Sequence, residues 1–356
     1  MTDSALPALA LGRRVVSLLV LLLASSLALA APVELPVPDR SDDARTAVLR
    51  QAMQQTLVRL TGSATPQQWS ETAPMLEAPE RWVAQFGYLG KPDALVLQVR
   101  FDEQELQRSL SEAGVPLWGS ARPPVQMWLT SDRGDIHSAE ADDDAFISAL
   151  RQRAAFRGVL LSWPKMDGTD RERVSAADIR GRFDAPLRAA AERYGDGPVL
   201  AATYYPNGRP NLRWRLLNAQ GDVAGGTLEA GNGTALAEKL ADEIADRMAK
   251  VYAVRAGEAQ TQPLQVQGVG GLAEFAALRS LVSGQAGVRA VAVERLKDDL
   301  VQLQVAFSGS SEQLQRMLLA SGKLQACSPA SGEAPLQPDA DLLAPAPLRL
   351  CWRARG

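Results

Sequence analysis

The sequence predicts an α/β plus α+β protein built as three modules behind a removable leader. Three observations carry this reading. Helical apolar stripes alternate with short strands of two-residue period along the chain. Breaks in that pattern fall near residue 120 and at 257–263. The length of 356 residues corresponds to two or three domains at ~150 residues each. The expected division is a signal peptide over 1–30, a small N-terminal α+β module over 31–120, a central mixed-sheet α/β domain over 121–257, and a C-terminal ferredoxin-like βαββαβ module over 263–356.

The leader is read first. Arg13 and Arg14 form a positive start, Val15 to Leu23 is a nine-residue apolar region broken only by Ser17, and Ala28-Leu29-Ala30 matches an A-x-A cleavage site. A membrane span needs about 20 apolar residues, so the run is short for one. An uncleaved N-terminal anchor is the duller alternative. Cleavage implies a periplasmic protein, with no transmembrane segment in the rest of the chain.

In the first module, Val33 to Val37 reads as a strand. Ser41 caps a helix whose stripe is Leu49, Met53, Leu57 and Leu60, ended by Gly62. A polar, proline-marked stretch is expected to hold loop and helix. Leu95 to Phe101 is a strand, and Asp102 with Glu105 starts a helix to Gly114.

In the second, Val125, Met127 and Leu129 alternate on a strand, and Phe146, Ile147, Leu150 and Ala154 mark a helix. Val159 to Trp163 is apolar enough for a central strand buried on both faces. Asp184 is placed to cap a helix with Pro186 in its first turn. Val199 to Tyr205, Leu212 to Asn218 and Val223 to Glu229 form an antiparallel meander, and Thr234 caps a long helix.

In the third, strands at 264–267, 288–294, 301–307 and 348–352 and helices at 272–281 and 312–320 give the split βαβ order.

The stretches VPDRSDDARTAVLRQAMQQTLVRLTG and LQVRFDEQELQRSLSEAGVPLWGSARPPVQMWL supply a family resemblance. With the helix start Asp39 to Arg45 and the turn Pro116 to Pro123, the chain resembles the uncharacterised proteobacterial family of domain of unknown function 2066. The resemblance implies an exported protein of the Gram-negative envelope, over most of the mature chain. It implies no known activity and no catalytic residues.

Candidate chemistry is sparse. The net charge is −3 and no basic stripe interleaved with aromatics occurs, so nucleic acid is not an expected partner. Cys327 and Cys351 form a natural pair in an oxidising compartment, closing a loop of roughly 25 residues worth ~3 kcal/mol. Two buried thiols are the alternative.

Gly268-Val-Gly270-Gly-Leu-Ala273 matches a dinucleotide fingerprint, but its second strand turns tightly into a third instead of a crossover, so no cofactor is expected. His137, the one histidine, lies in an acidic loop with Asp132, Asp135, Glu140, Asp142, Asp143 and Asp144. Its spacing is not that of a Ca²⁺ loop, so no metal is expected. Of the seven tryptophans, Trp118, with Arg122 and Pro123, is the candidate for a partner-docking edge or for packing at the hinge between the first two modules.

The expected function is therefore a non-catalytic adaptor or assembly factor that binds other envelope proteins. The alternatives are a periplasmic small-molecule or glycan-binding protein with a cleft in the central domain, and a hydrolase using carboxylates such as Asp142 to Asp144 or Asp167 and Asp170.

Overall fold

The computed structural model describes residues 32–353 apart from 92, 120–121, 133, 139–143, 219–220, 256 and 328–345, and the side chains of 221–223. The leader with its A-x-A site, Glu140, Asp142, Asp143 and most of the Pro/Ala-rich stretch near the C-terminus lie outside the described residues. The fold is the mixed α/β plus α+β class expected, with sheets of three, five and five strands.

The first sheet is built from β1 (Val33–Pro36), β2 (Val83–Leu89) and β3 (Val96–Phe101), with β3 central and antiparallel to both neighbours. Leu97, Val99 and Phe101 alternate inward from β3. They meet Met53 and Leu57 of α1 (Asp42–Thr61), with α2 (Ala73–Glu77) and α3 (Glu103–Glu112) completing the layer. Ser41 accepts a hydrogen bond from the Ala44 N–H, and α1 stops at Gly62, which has a left-handed φ of 73°. Strand β2 is a departure from the expected loop and helix. It is an edge strand, exposed over most of its length, so it lacks a strong apolar alternation to announce it.

The central sheet has the order β5-β4-β6-β7-β8, from β4 (Val125–Ser131), β5 (Leu161–Ser162), β6 (Val199–Tyr205), β7 (Asn211–Asn218) and β8 (Gly221–Glu229). β5, β4 and β6 run parallel; β6, β7 and β8 form the expected antiparallel meander. One face is covered by α4 (Ala145–Phe156) and α8 (Gly233–Tyr252), which close the largest core. The other face carries three short helices, α5 (Gly168–Arg173), α6 (Ala176–Gly181) and α7 (Asp184–Ala191). Two expectations change here. The apolar run at 159–163 yields only the two-residue edge strand β5, because Pro164 follows and no further strand pairs beyond it among the described residues. The caps move too: Asp184 sits in the first turn of α7 behind Phe183, and Asn232, not Thr234, caps α8.

The third sheet has the order β10-β11-β9-β13-β12, from β9 (Gln260–Gln267), β10 (Val288–Lys297), β11 (Leu300–Phe307), β12 (Leu324–Ala326) and β13 (Leu348–Trp352), with α9 (Leu272–Ser283) and α10 (Ser311–Ala320). The arrangement differs from a plain βαββαβ unit by the added strand β12. β12 takes the edge, and the last strand inserts beside β9, running parallel to it. Cys327 follows β12 and Cys351 lies in β13; their Sγ atoms are 2.15 Å apart, a disulfide-capable pair across the two strands. Among the described residues no helix is long and apolar enough to cross a membrane.

Candidate functional site

Two clusters of arginines stand out, and they are built oppositely. The first lies where the three sheets' cores meet. Trp118 is 2% exposed, and its backbone N–H donates to the carbonyl of Leu60 at 2.8 Å. Next to it, Leu117 and Val254 exchange backbone hydrogen bonds of 2.9 and 2.8 Å, joining the first module to the segment after α8. Arg122 lies over the Trp118 ring, 4.3 Å from its centroid. Its guanidinium donates to the carbonyls of Gly119 (3.0 Å), Gly158 (2.8 Å), Arg59 (2.5 Å) and Trp118 (2.7 Å). Burial, then the positive charge of Arg59, pushes Arg122 down to about 10. Pro123 is buried beside it. The structure thus places Trp118, Arg122 and Pro123 inside the junction between modules.

Arg157 extends this hub. Its side chain is fully buried and donates to Asp242 and Asp246 of α8, each at 2.5 Å, and to the Gly62 carbonyl at 2.8 Å. Arg153 adds two bonds to Asp242 at 2.9 and 3.0 Å. A Cβ on Gly62 would lie 2.6 Å from Ala249 Cβ and 2.8 Å from the Trp118 ring, so α1, α8 and Trp118 close on a residue without a side chain.

The second cluster lines a cleft of about 510 Å³ on the central sheet. It opens on the face that α5, α6 and α7 cover only in part. Strand register sets its floor. On this face Ala201, Arg215 and Gly225 form one cross-strand row over β6, β7 and β8, and Thr203, Arg213 and Thr227 form the next. Tyr205 follows on β6, with Arg213 5.9 Å from its ring centroid. Arg180 and Arg182, at the C-terminal end of α6, make the wall. Four arginines and no carboxylate appear among the described lining residues.

Arg215 is 4% exposed. One of its nitrogens pairs with Asp184, while Nη2 is buried with no partner among the described residues. A buried guanidinium nitrogen without an acceptor is costly, and such groups call for an explanation such as a ligand or ordered water. Gly225 makes room for it, since a Cβ there would lie 3.3 Å from Arg215 Cβ and 3.0 Å from the Trp214 carbonyl. Arg180 and Arg213 are exposed and make no ion pair among the described residues. A buried, half-satisfied cation with further cations around it is chemically an anion receptor.

The other expected candidates sit apart from this cleft. Asp167 and Asp170 do not face an open space as an acid–base pair. Arg193 bridges them at 2.7 and 2.8 Å, and Tyr194 donates to Asp170 at 2.5 Å. The bonds from Arg193 bring Asp167 down to about 2. Asp144 caps α4, accepting from the Phe146 N–H at 2.7 Å. His137 Nε2 is buried without a partner among the described residues, and burial depresses its pKa against the pull of Asp144 and Asp135. In the glycine-rich turn before α9, the Glu274 carboxylate accepts from the Gly270 N–H at 2.7 Å, so a side-chain anion already occupies that turn.

Comparison with known proteins adds little chemistry. Residues 31–119 match a family model described as Domain of unknown function (DUF8605). This corrects the resemblance drawn from the motifs: the matching family is a different one of unknown function, and it covers the first module only. The Gram-negative envelope assignment loses the support that resemblance lent it. No curated protein matches the chain. A solved structure, an N-terminal fragment of the phenylalanyl-tRNA synthetase beta-subunit from Pyrococcus horikoshii, is 8% identical over 82% of this chain and 99% of that one, with a TM-score of 0.13. A likeness at that score carries no argument about fold or function.

The cleft was not foreseen as a particular set of residues. Its signal in the sequence is Arg213-Trp214-Arg215 on a strand, with Gly225-Gly226 one hairpin later.

Proposed function

We propose that the protein is an exported, non-catalytic binding protein that holds a small anionic ligand in the central cleft. The observation that carries this reading is Arg215, buried on the cleft floor with one guanidinium nitrogen lacking an acceptor. Arg180, Arg182 and Arg213 add positive charge around the same space in a chain whose net charge is −3. The volume lies within the range of small-molecule sites, roughly 300–1,000 Å³. Export is supported by the Arg13-Arg14 leader with its A-x-A site and by the disulfide-capable cysteine pair. The test is thermal unfolding with inorganic phosphate, citrate and glucuronate against neutral glucose and glycerol. Anions alone should raise the midpoint, by an amount equivalent to about 2.7 kcal/mol at 100 times Kd, and the rise should vanish in Arg213→Gln/Arg215→Gln. Equal responses to charged and neutral compounds would defeat the proposal.

A second reading, the adaptor for envelope proteins, is favoured by the edge strand β2, whose Phe86 and Leu89 are 48% and 45% exposed. Crosslinking from position 86 in the native envelope tests it: reproducible capture of one protein supports it, and no capture counts against it.

A further inference from the structure

The cleft floor is chemically divided, and the division says what carries the anion. The row Ala201–Arg215–Gly225 is small except for its buried cation. The row Thr203–Arg213–Thr227 sets two hydroxyls on either side of an exposed guanidinium. Thr203 is 4% exposed, and its hydroxyl makes no hydrogen bond among the described residues. Tyr205 closes this end with a half-buried ring and its own hydroxyl. Of the other uncharged lining residues, Trp214 lies between Arg213 and Arg215 on β7 and packs into the core on the opposite face, Ile179 is the one large aliphatic group, and the rest are small. A nucleobase or an acyl chain needs apolar walls, which this cleft does not offer. A compact molecule dense in hydroxyls fits better: hydroxyls can both donate to and accept from threonine and tyrosine, and an aromatic ring suits the C–H face of a pyranose.

Building on the anion-site reading above, we propose that the ligand is an anionic monosaccharide, a sugar phosphate or hexuronate. Its charged group lies against Arg215, with Arg180 and Arg182 at the rim. Its sugar ring lies over the row of Thr203, Arg213 and Thr227 beside Tyr205. The arrangement predicts that the sugar and the charge each add affinity, because each has its own row.

Titration calorimetry on the purified chain tests this with the 1-phosphates of glucose, galactose, mannose and N-acetylglucosamine, with glucuronate and galacturonate, with inorganic phosphate, and with the neutral sugars. At least one anionic sugar should bind about tenfold or more tighter than both inorganic phosphate and its neutral parent. Thr203→Val/Thr227→Val should bring that sugar down to the level of phosphate while leaving phosphate binding unchanged. If phosphate binds as tightly as every sugar phosphate and uronate, the sugar assignment fails and the anion site stands. If no charged probe binds, both fail.

Discussion

Arg157 and Arg215 are both buried arginines on the central module, and they are finished differently. Arg157 meets two carboxylates and a carbonyl from α8 and the end of α1. With Arg122, which reaches four carbonyls, it fastens the first module to the second. Arg215 meets one carboxylate and presents an unpartnered nitrogen on a cleft floor. The same side chain can therefore serve cohesion or recognition, and the count of internal acceptors distinguishes the two. In the hub both terminal nitrogens of Arg157 are engaged by acceptors of the fold and only Nε lacks one among the described residues; in the cleft a terminal nitrogen of Arg215 is left for something else.

The sharpest way to break this comparison is Arg157→Met, which roughly keeps volume but leaves the Gly62 carbonyl without its donor, takes one bond from Asp246 and leaves Asp242 to Arg153 alone. We expect a loss of about 2–4 kcal/mol in urea unfolding. A change below about 0.5 kcal/mol would show that the hub is not cohesive. Arg122→Met should cost somewhat less, about 1–3 kcal/mol, because it leaves neutral carbonyls unpaired. It should also speed proteolysis near residue 120, where the modules join.

A third buried nitrogen extends the comparison to pH. His137 has its pKa depressed by burial, so the unfolded chain binds its proton more readily than the fold does. Stability should be constant above the ordinary histidine pKa of about 6.5 and should fall as pH drops below it. The fall should shrink in His137→Gln, read as unfolding midpoints between pH 7.5 and 5. An unchanged slope in the variant would assign the effect to other groups.

The smallest stability effect belongs to the cleft. Arg213→Gln should alter stability by less than about 0.5 kcal/mol, since the residue is exposed and unpaired by any carboxylate among the described residues. It should nevertheless weaken anion binding by about five- to tenfold, and raising salt should erase much of that difference. A variant that lost stability and kept affinity would reverse the assignment of the two clusters.

Much of this fold was legible because it is local. Ser41, Gly62, Asp102 and the turns of the β6–β8 meander announce themselves within a few residues, through caps and tight turns. What escaped was decided at a distance. Strand β2 exists because β3 offers it an edge, and β12 because β13 folds back beside β9. The cleft escaped for a related reason. Arg213 and Arg215 alternate with apolar residues along an expected strand, and the segment that carries Arg180 and Arg182 was assigned no element. Only cross-strand register and the limited reach of α6 bring them to one space. Trp118 read as hinge packing in preference to a docking edge, and the position of α1 and α8 shows it enclosed.

The most direct test of the central claim follows each guanidinium separately. With ¹⁵N-labelled arginine and assignments from single Arg→Lys variants, the Nε–Hε signals of Arg180, Arg213 and Arg215 should shift together and saturably on titration with a sugar phosphate, while those of Arg122 and Arg157 stay fixed. If the cleft signals stay still, or if hub and cleft arginines shift alike, the division between a cohesive and a receptive set of arginines is wrong.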